Sequence, residues 1–193
     1  MNAKVRKRII GFVGVIAVVC MALMVAISMQ PADFRITRGT TIVAPATVVF
    51  GQVNDFHKWG AWSPWEKLDP GMTRTHSGAE SGEGAVYFWS GNDKVGEGRM
   101  TILESKPDEL VRIKLEFIKP FAATNTADFK LESAGSDTKV TWSMYGKNNF
   151  VAKAMCMFMD MDKMVGPDFE KGLAAMKDVS EAEAKMQATG GAK

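Results

Sequence analysis

Residues 9–29 read IIGFVGVIAVVCMALMVAISM, 21 consecutive positions without a charge. At about 1.5 Å of rise per residue, a helix of that length spans the roughly 30 Å hydrocarbon core of a bilayer. The run predicts one transmembrane helix. Lys4, Arg6, Lys7 and Arg8 precede it, whereas the stretch that follows carries only Arg35 and Arg38. This bias places residues 1–8 in the cytoplasm and the rest of the chain on the far side of the membrane, as in a single-pass inner-membrane protein with a periplasmic or extracytoplasmic domain. The alternative is export after signal cleavage, with Ala26 and Ser28 as the small residues before a cut, although the run exceeds the roughly 7–15 residues of a usual signal core. Cys20 follows Val19 rather than a small residue, so it does not read as a lipidation site.

Separating the anchor changes the meaning of the charge count. Four of the 24 basic residues lie before residue 9 and none of the 22 acidic ones does, which leaves 20 basic and 22 acidic residues outside. The positive balance is therefore a topology signal, and the near-neutral remainder argues against a nucleic-acid partner. Cys156 is the one thiol beyond the membrane segment, so no disulfide forms within that part and it must rely on its core. His57 and His76 are the only histidines, which leaves little material for a histidine-based metal site or a Ser-His-Asp array.

Residues 33–44 alternate at Phe34, Ile36 and Ile42 and read as a first strand ending at Pro45. A short helical pattern follows, with Pro45 at its start and Val48, Val49, Val53 and Phe56 at spacings near 3.6. Next comes HKWGAWSPWEKLDPG, an aromatic connection in which Trp59, Trp62 and Trp65 recur every three residues. Strand patterns then occupy residues 73–76, 85–89, 95–104, 110–118, 124–132 and 138–145, separated by turn residues. The clearest is 110–118, where Val111, Ile113, Leu115 and Phe117 alternate with Arg112, Lys114 and Glu116. From about Asn149 a long amphipathic pattern predicts a helix, kinked at Gly166-Pro167, with a frayed tail at 179–193.

An antiparallel sheet with one wet face must cover the other, and the last helix is the long amphipathic element available for that. The order implies an α+β fold: a curved antiparallel sheet of about seven strands around a long C-terminal helix, with a cavity between them. The same order, together with VNDFHKWGAWSPWEKLDP (53–70), SGEGAVYFWSGNDKVGEGRMTILESKP (81–107), FIKPFAATNTADFKLE (117–132), TKVTWSMYG (138–146) and MDMDKMVGPDFEKGL (159–173), resembles the START-like helix-grip superfamily, also called SRPBCC. Within it the chain is similar to bacterial polyketide cyclase/dehydrase and lipid-transport-like proteins, over roughly residues 33–178. The resemblance implies a cavity for an apolar small molecule or lipid. It supplies no catalytic residue and no cofactor.

The candidate cavity residues are Trp62, Trp65, Tyr87, Trp89, Phe117, Trp142, Met144, Met157 and Met161. The Trp59/Trp62/Trp65 group either lines the mouth of that cavity or plugs its open end as core. The run AMCMFMDMDKM suggests a soft-metal site, but alternate residues of a helix point about 200° apart and do not converge, so no metal is expected. For catalysis the chain offers His57, His76, Asp55, Glu66, Glu97 and Asp128 without a spacing that pairs a base with an orienting carboxylate. Gly82, Gly84, Gly91, Gly96 and Gly98 precede no helix and read as turn or bulge positions, not as a phosphate loop. Binding is the leading expectation, with a cyclase/dehydratase-type enzyme in the same cavity, or a surface interaction module, as the alternatives.

Overall fold

A computed structural model describes residues 3–190, in two compact units. The smaller contains residues 3–34 and Asn148–Asp160, and the larger contains Arg35–Lys147 and the chain from Met161 onward.

In the smaller unit, helix α1 (Ala3–Ser28) holds the apolar run, and its Gly11–Ser28 portion is long and apolar enough to cross a bilayer. By length and composition it fits a membrane anchor and a signal sequence alike. Helix α4 (Phe150–Cys156) packs against α1. Asn149 caps α4 by accepting the Ala152 N–H at 2.9 Å.

The larger unit contains strand β1 (Asp33–Ile42) from Arg35 on, helix α2 (Ala46–Asn54), a 3-10 turn (Phe56–Lys58), the single-turn helix α3 (Trp59–Trp62) and a second 3-10 turn (Pro64–Lys67). Strands β2 (Thr73–Gly78), β3 (Ala85–Ser90), β4 (Glu97–Lys106), β5 (Leu110–Lys119), β6 (Ala123–Ala134) and β7 (Asp137–Lys147) follow, and helix α5 (Met161–Gly190) ends the unit. The seven strands form one sheet in the order β1-β7-β6-β5-β4-β3-β2. All six predicted strands after the first are present, with ends moved by a few residues at most.

Alternation sorts the faces. Val111, Ile113, Phe129, Leu131, Val140 and Trp142 are buried on one side, against α2, α3 and α5. On the other, Arg112 grips Asp128 through two nitrogens at 2.9 and 3.2 Å and reaches Glu104 at 2.6 Å.

Two expectations about the C-terminal helix are corrected. It is not one helix kinked at Gly166-Pro167. The break comes at 157–160, where the Phe158 and Met159 N–H groups both bond back to the Met155 carbonyl, and α5 then runs through Pro167. Gly166 has a packing role: a Cβ there would collide with the guanidinium of Arg38, which crosses from β1 to bond Asp162 and Glu170 at 2.8 Å. Nor does the helix fray at 179. It continues to Gly190, held by polar rather than apolar residues: Glu181 accepts the Val43 N–H at 2.9 Å and Glu183 accepts from Gln52 at 2.5 Å, while Ser180 is packed inside with no hydrogen-bond partner for its hydroxyl among the described residues. Residues 1–2 of the predicted basic segment and 191–193 of the predicted tail lie outside the described residues.

Candidate functional site

Cross-strand register builds a wall from side chains far apart in sequence. Tyr87 pairs with Met100, Met100 with Leu115, and Leu115 with Asn125, which makes one row across four strands. The next row is Trp89, Gly98, Phe117 and Ala123. Gly98 is needed there, because a Cβ would overlap the Trp89 ring and stand 2.6 Å from the Glu116 carbonyl. With no side chain at 98, Trp89 lies across β4 and meets Phe117 edge to face at 6.1 Å.

Between this wall, the Trp-rich connection and α5 is a cavity of about 290 Å³. Trp65, Tyr87, Trp89, Phe117, Trp142 and Met144 line it, with Met161, Val165 and Phe169 of α5 opposite. Seven of the nine candidates from sequence therefore meet around one space.

Trp62 is 1% exposed and packs as core, its indole N–H donating to the Gln52 carbonyl at 3.1 Å. Trp59 is held in the same way by the Val53 carbonyl, yet touches the cavity as well. The three-residue Trp rhythm thus divides between plug and wall, because the stretch is two 3-10 turns around one α-turn whose faces rotate. Met157 belongs to the smaller unit, at the C-terminal end of α4.

Trp142 anchors the aromatic cluster. Its ring stacks on Phe169 at 4.0 Å with the planes 8° apart and on Phe129 at 4.7 Å, which ties β6 and β7 to α5. Its N–H is enclosed without a hydrogen-bond partner among the described residues.

Ser63, Glu66 and Asn125 are the polar side chains of the wall apart from the ring N–H and O–H groups. Glu66, in the second 3-10 turn, accepts the Tyr87 hydroxyl at 2.5 Å on one oxygen and Arg74 Nε at 2.6 Å on the other. Burial, reinforced by the neighbouring Glu66 carboxylate, pushes the Tyr87 phenol well above its ordinary range, so it keeps its proton at neutral pH. Sequence spacing did not single out this Arg74-Glu66-Tyr87 chain, although Glu66 was among the candidate acids. The signal is the register His76↔Tyr87 and Arg74↔Trp89, which puts β2 beside the row containing Tyr87.

The other candidate acids and bases lie elsewhere. Asp128 is buried on the face opposite the cavity, beneath Arg112 and Tyr145. Glu97 pairs with Lys119 at 2.7 Å. Asp55 accepts both the backbone N–H and a ring nitrogen contact of His57, whose imidazole stacks on His76 at 4.1 Å. Neither imidazole is part of the cavity wall. Among the described residues no cluster of His, Cys, Asp and Glu could hold a metal ion.

Burial, and then the neighbouring His57, hold His76 below the usual imidazole value. The unfolded chain therefore takes up this proton first as pH falls, and stability declines from the ordinary imidazole value down to the lowered one. His57→Ala, which both uncovers His76 and removes a like charge, is expected to raise the His76 midpoint measured by NMR titration. An unchanged midpoint would show that the stacked pair does not exist in solution.

Residues 33–181 match the family model described as "Polyketide cyclase / dehydrase and lipid transport". No curated protein matches the sequence. Among solved structures, the chain is similar to the protein of unknown function SA2116 from Staphylococcus aureus, at TM-score 0.59 and 11% identity, covering 82% of this chain and 99% of that one. It is also similar to the major latex-like protein 151 of Panax ginseng (TM-score 0.53, 16% identity, 80% and 99% covered) and to CV1439 from Chromobacterium violaceum (0.54, 14%, 78% and 99%). At these identities the likeness is one of fold.

Proposed function

The chain belongs to the polyketide cyclase/dehydrase and lipid transport family, and we propose that it binds one compact apolar molecule in the cavity between sheet and α5, with α1 tethering the domain to the membrane. The observation that carries this is the cavity itself, a wall of aromatic and Met side chains interrupted by few polar groups. At 290 Å³ the cavity is near the lower end of the roughly 300–1,000 Å³ of small-molecule pockets and suits a small ring system or a single folded chain. Glu66 is already paired with Arg74 and Tyr87, which favours a neutral ligand over a charged one.

The test is recovery. Purified full-length protein, extracted and analysed by mass spectrometry, is expected to yield one apolar species in near-stoichiometric amount beyond the lipids that accompany α1. Ala127→Phe fills the cavity from β6 and is expected to abolish recovery of that species while the belt lipids stay. Equal recovery from both proteins would remove the proposal.

A second reading, cyclase or dehydratase chemistry in the same space, is favoured by the Glu66-Tyr87 pair on the wall. Glu66→Gln separates the two. A binder returns the same molecule from both proteins, whereas an enzyme returns an unconverted precursor from the variant.

A further inference from the structure

The turn of chain between β7 and α5 exposes more apolar surface than a short connection needs. Phe150, Val151, Met155 and Phe158 are 53%, 51%, 37% and 82% exposed. At 100° per residue Phe150, Ala154, Val151 and Met155 of α4 fall in one arc of about 140°, with no charge inside it, and Phe158 follows in the turn just after the helix. Lys153 points the other way.

Within the smaller unit this element is fixed at one place on α1. The Lys153 ammonium donates to the Ser28 carbonyl at 3.1 Å, in the last turn of the apolar helix, and the Asn148 N–H donates to the Ala32 carbonyl at 2.6 Å just beyond it. A cation on the terminal carbonyls of a membrane-length helix marks the level where hydrocarbon gives way to headgroups. The uncharged arc therefore sits at that level, at the end of α1, whose residues 11–25 are exposed.

We propose that α4 and the turn after it, residues 149–159, form an interfacial element that lies in the outer boundary layer of the bilayer crossed by α1. The proposal rests on the reading of α1 as a retained anchor. Phe150 and Phe158 enter the acyl boundary to a depth of about 5–10 Å, as in other surface-lying amphipathic helices, with Lys153 turned toward α1.

The full chain, with Cys20→Ala and Cys156→Ala, carries single cysteines by Phe158→Cys, Val151→Cys or Lys139→Cys; a further form keeps native Cys20. Each is labelled with an environment-sensitive fluorophore and reconstituted into phosphatidylethanolamine/phosphatidylglycerol vesicles. Lipids bearing a nitroxide near the headgroup are expected to quench positions 158 and 151, which lose quenching by aqueous iodide, while Lys139→Cys behaves in the opposite way. Iodide quenching at both 158 and 151, with Cys20 protected, overturns the interfacial element and leaves the anchor standing. Protection of 158 and 151 from both quenchers means a protein partner covers the arc, and also overturns it. Iodide quenching at Cys20 removes the anchor, and the proposal with it.

Discussion

A Phe129→Ala variant is expected to lose about 3–5 kcal/mol of stability, the range for deleting a buried aromatic ring. Phe129 is fully buried and touches Trp59, Trp62 and Trp142 at ring distances of 5.9, 6.0 and 4.7 Å. Those three rings come from the connection and from β7, and α5 stacks on the last of them. Truncating Phe129 therefore leaves a hole where sheet, connection and helix meet. The hole cannot collapse easily, because Trp59 and Trp62 are held by their indole N–H bonds to Val53 and Gln52. At about 2–4 °C per kcal/mol for a chain of this size, the midpoint of thermal unfolding should fall by roughly 6–20 °C. A fall within about 2 °C, followed by near-UV circular dichroism, would mean that the aromatic cluster does not bear on stability.

Removing residues 180–193 should have the next largest effect, about 3 kcal/mol. The cut deletes Glu181, which holds the Val43 N–H, and Glu183, which holds the buried Gln52 amide; a hydrogen bond to a charged partner contributes about 1.5–3 kcal/mol. Lys177 also loses its bond to Glu181 at 2.6 Å. A shorter truncation of residues 186–193, whose described positions 186–190 are exposed, should stay within about 0.5 kcal/mol of the full chain. Equal stability of all three forms in a urea titration would show that the helix beyond 179 contributes nothing.

The contrast between these two cuts explains what was legible in the sequence. The strands could be read because hydrophobic alternation is local: Val111, Ile113, Leu115 and Phe117 announce their own face. The same alternation brought Tyr87, Trp89, Phe117, Trp142 and Met144 to one wall. The end of α5 could not be read that way, because its packing depends on Ser180, Glu181 and Glu183, residues that look solvated until α2 and the end of β1 are placed beside them. The break at 157–160 was equally hidden, since the Met-rich run keeps helical periodicity straight through it. Glu66 was visible as an acid, but its place on the cavity wall depends on which strand lies next to Tyr87. The Trp rhythm left lining and plugging open for a different reason, since one spacing runs across a segment that changes helix type twice.

The strand order has a consequence for how the molecule is made. β1 closes the sheet against β7, and Thr37 meets Ser143 across that seam at 2.9 Å, 106 positions away in the chain. During synthesis β1 emerges first among the strands and β7 last, so the seam must wait for nearly the whole domain to follow. Joining ends that far apart carries a large loop entropy and makes the step slow. Until it happens, β1 lacks its only strand neighbour, and a nascent chain halted after β6 would hold every sheet pairing except the two made by β7.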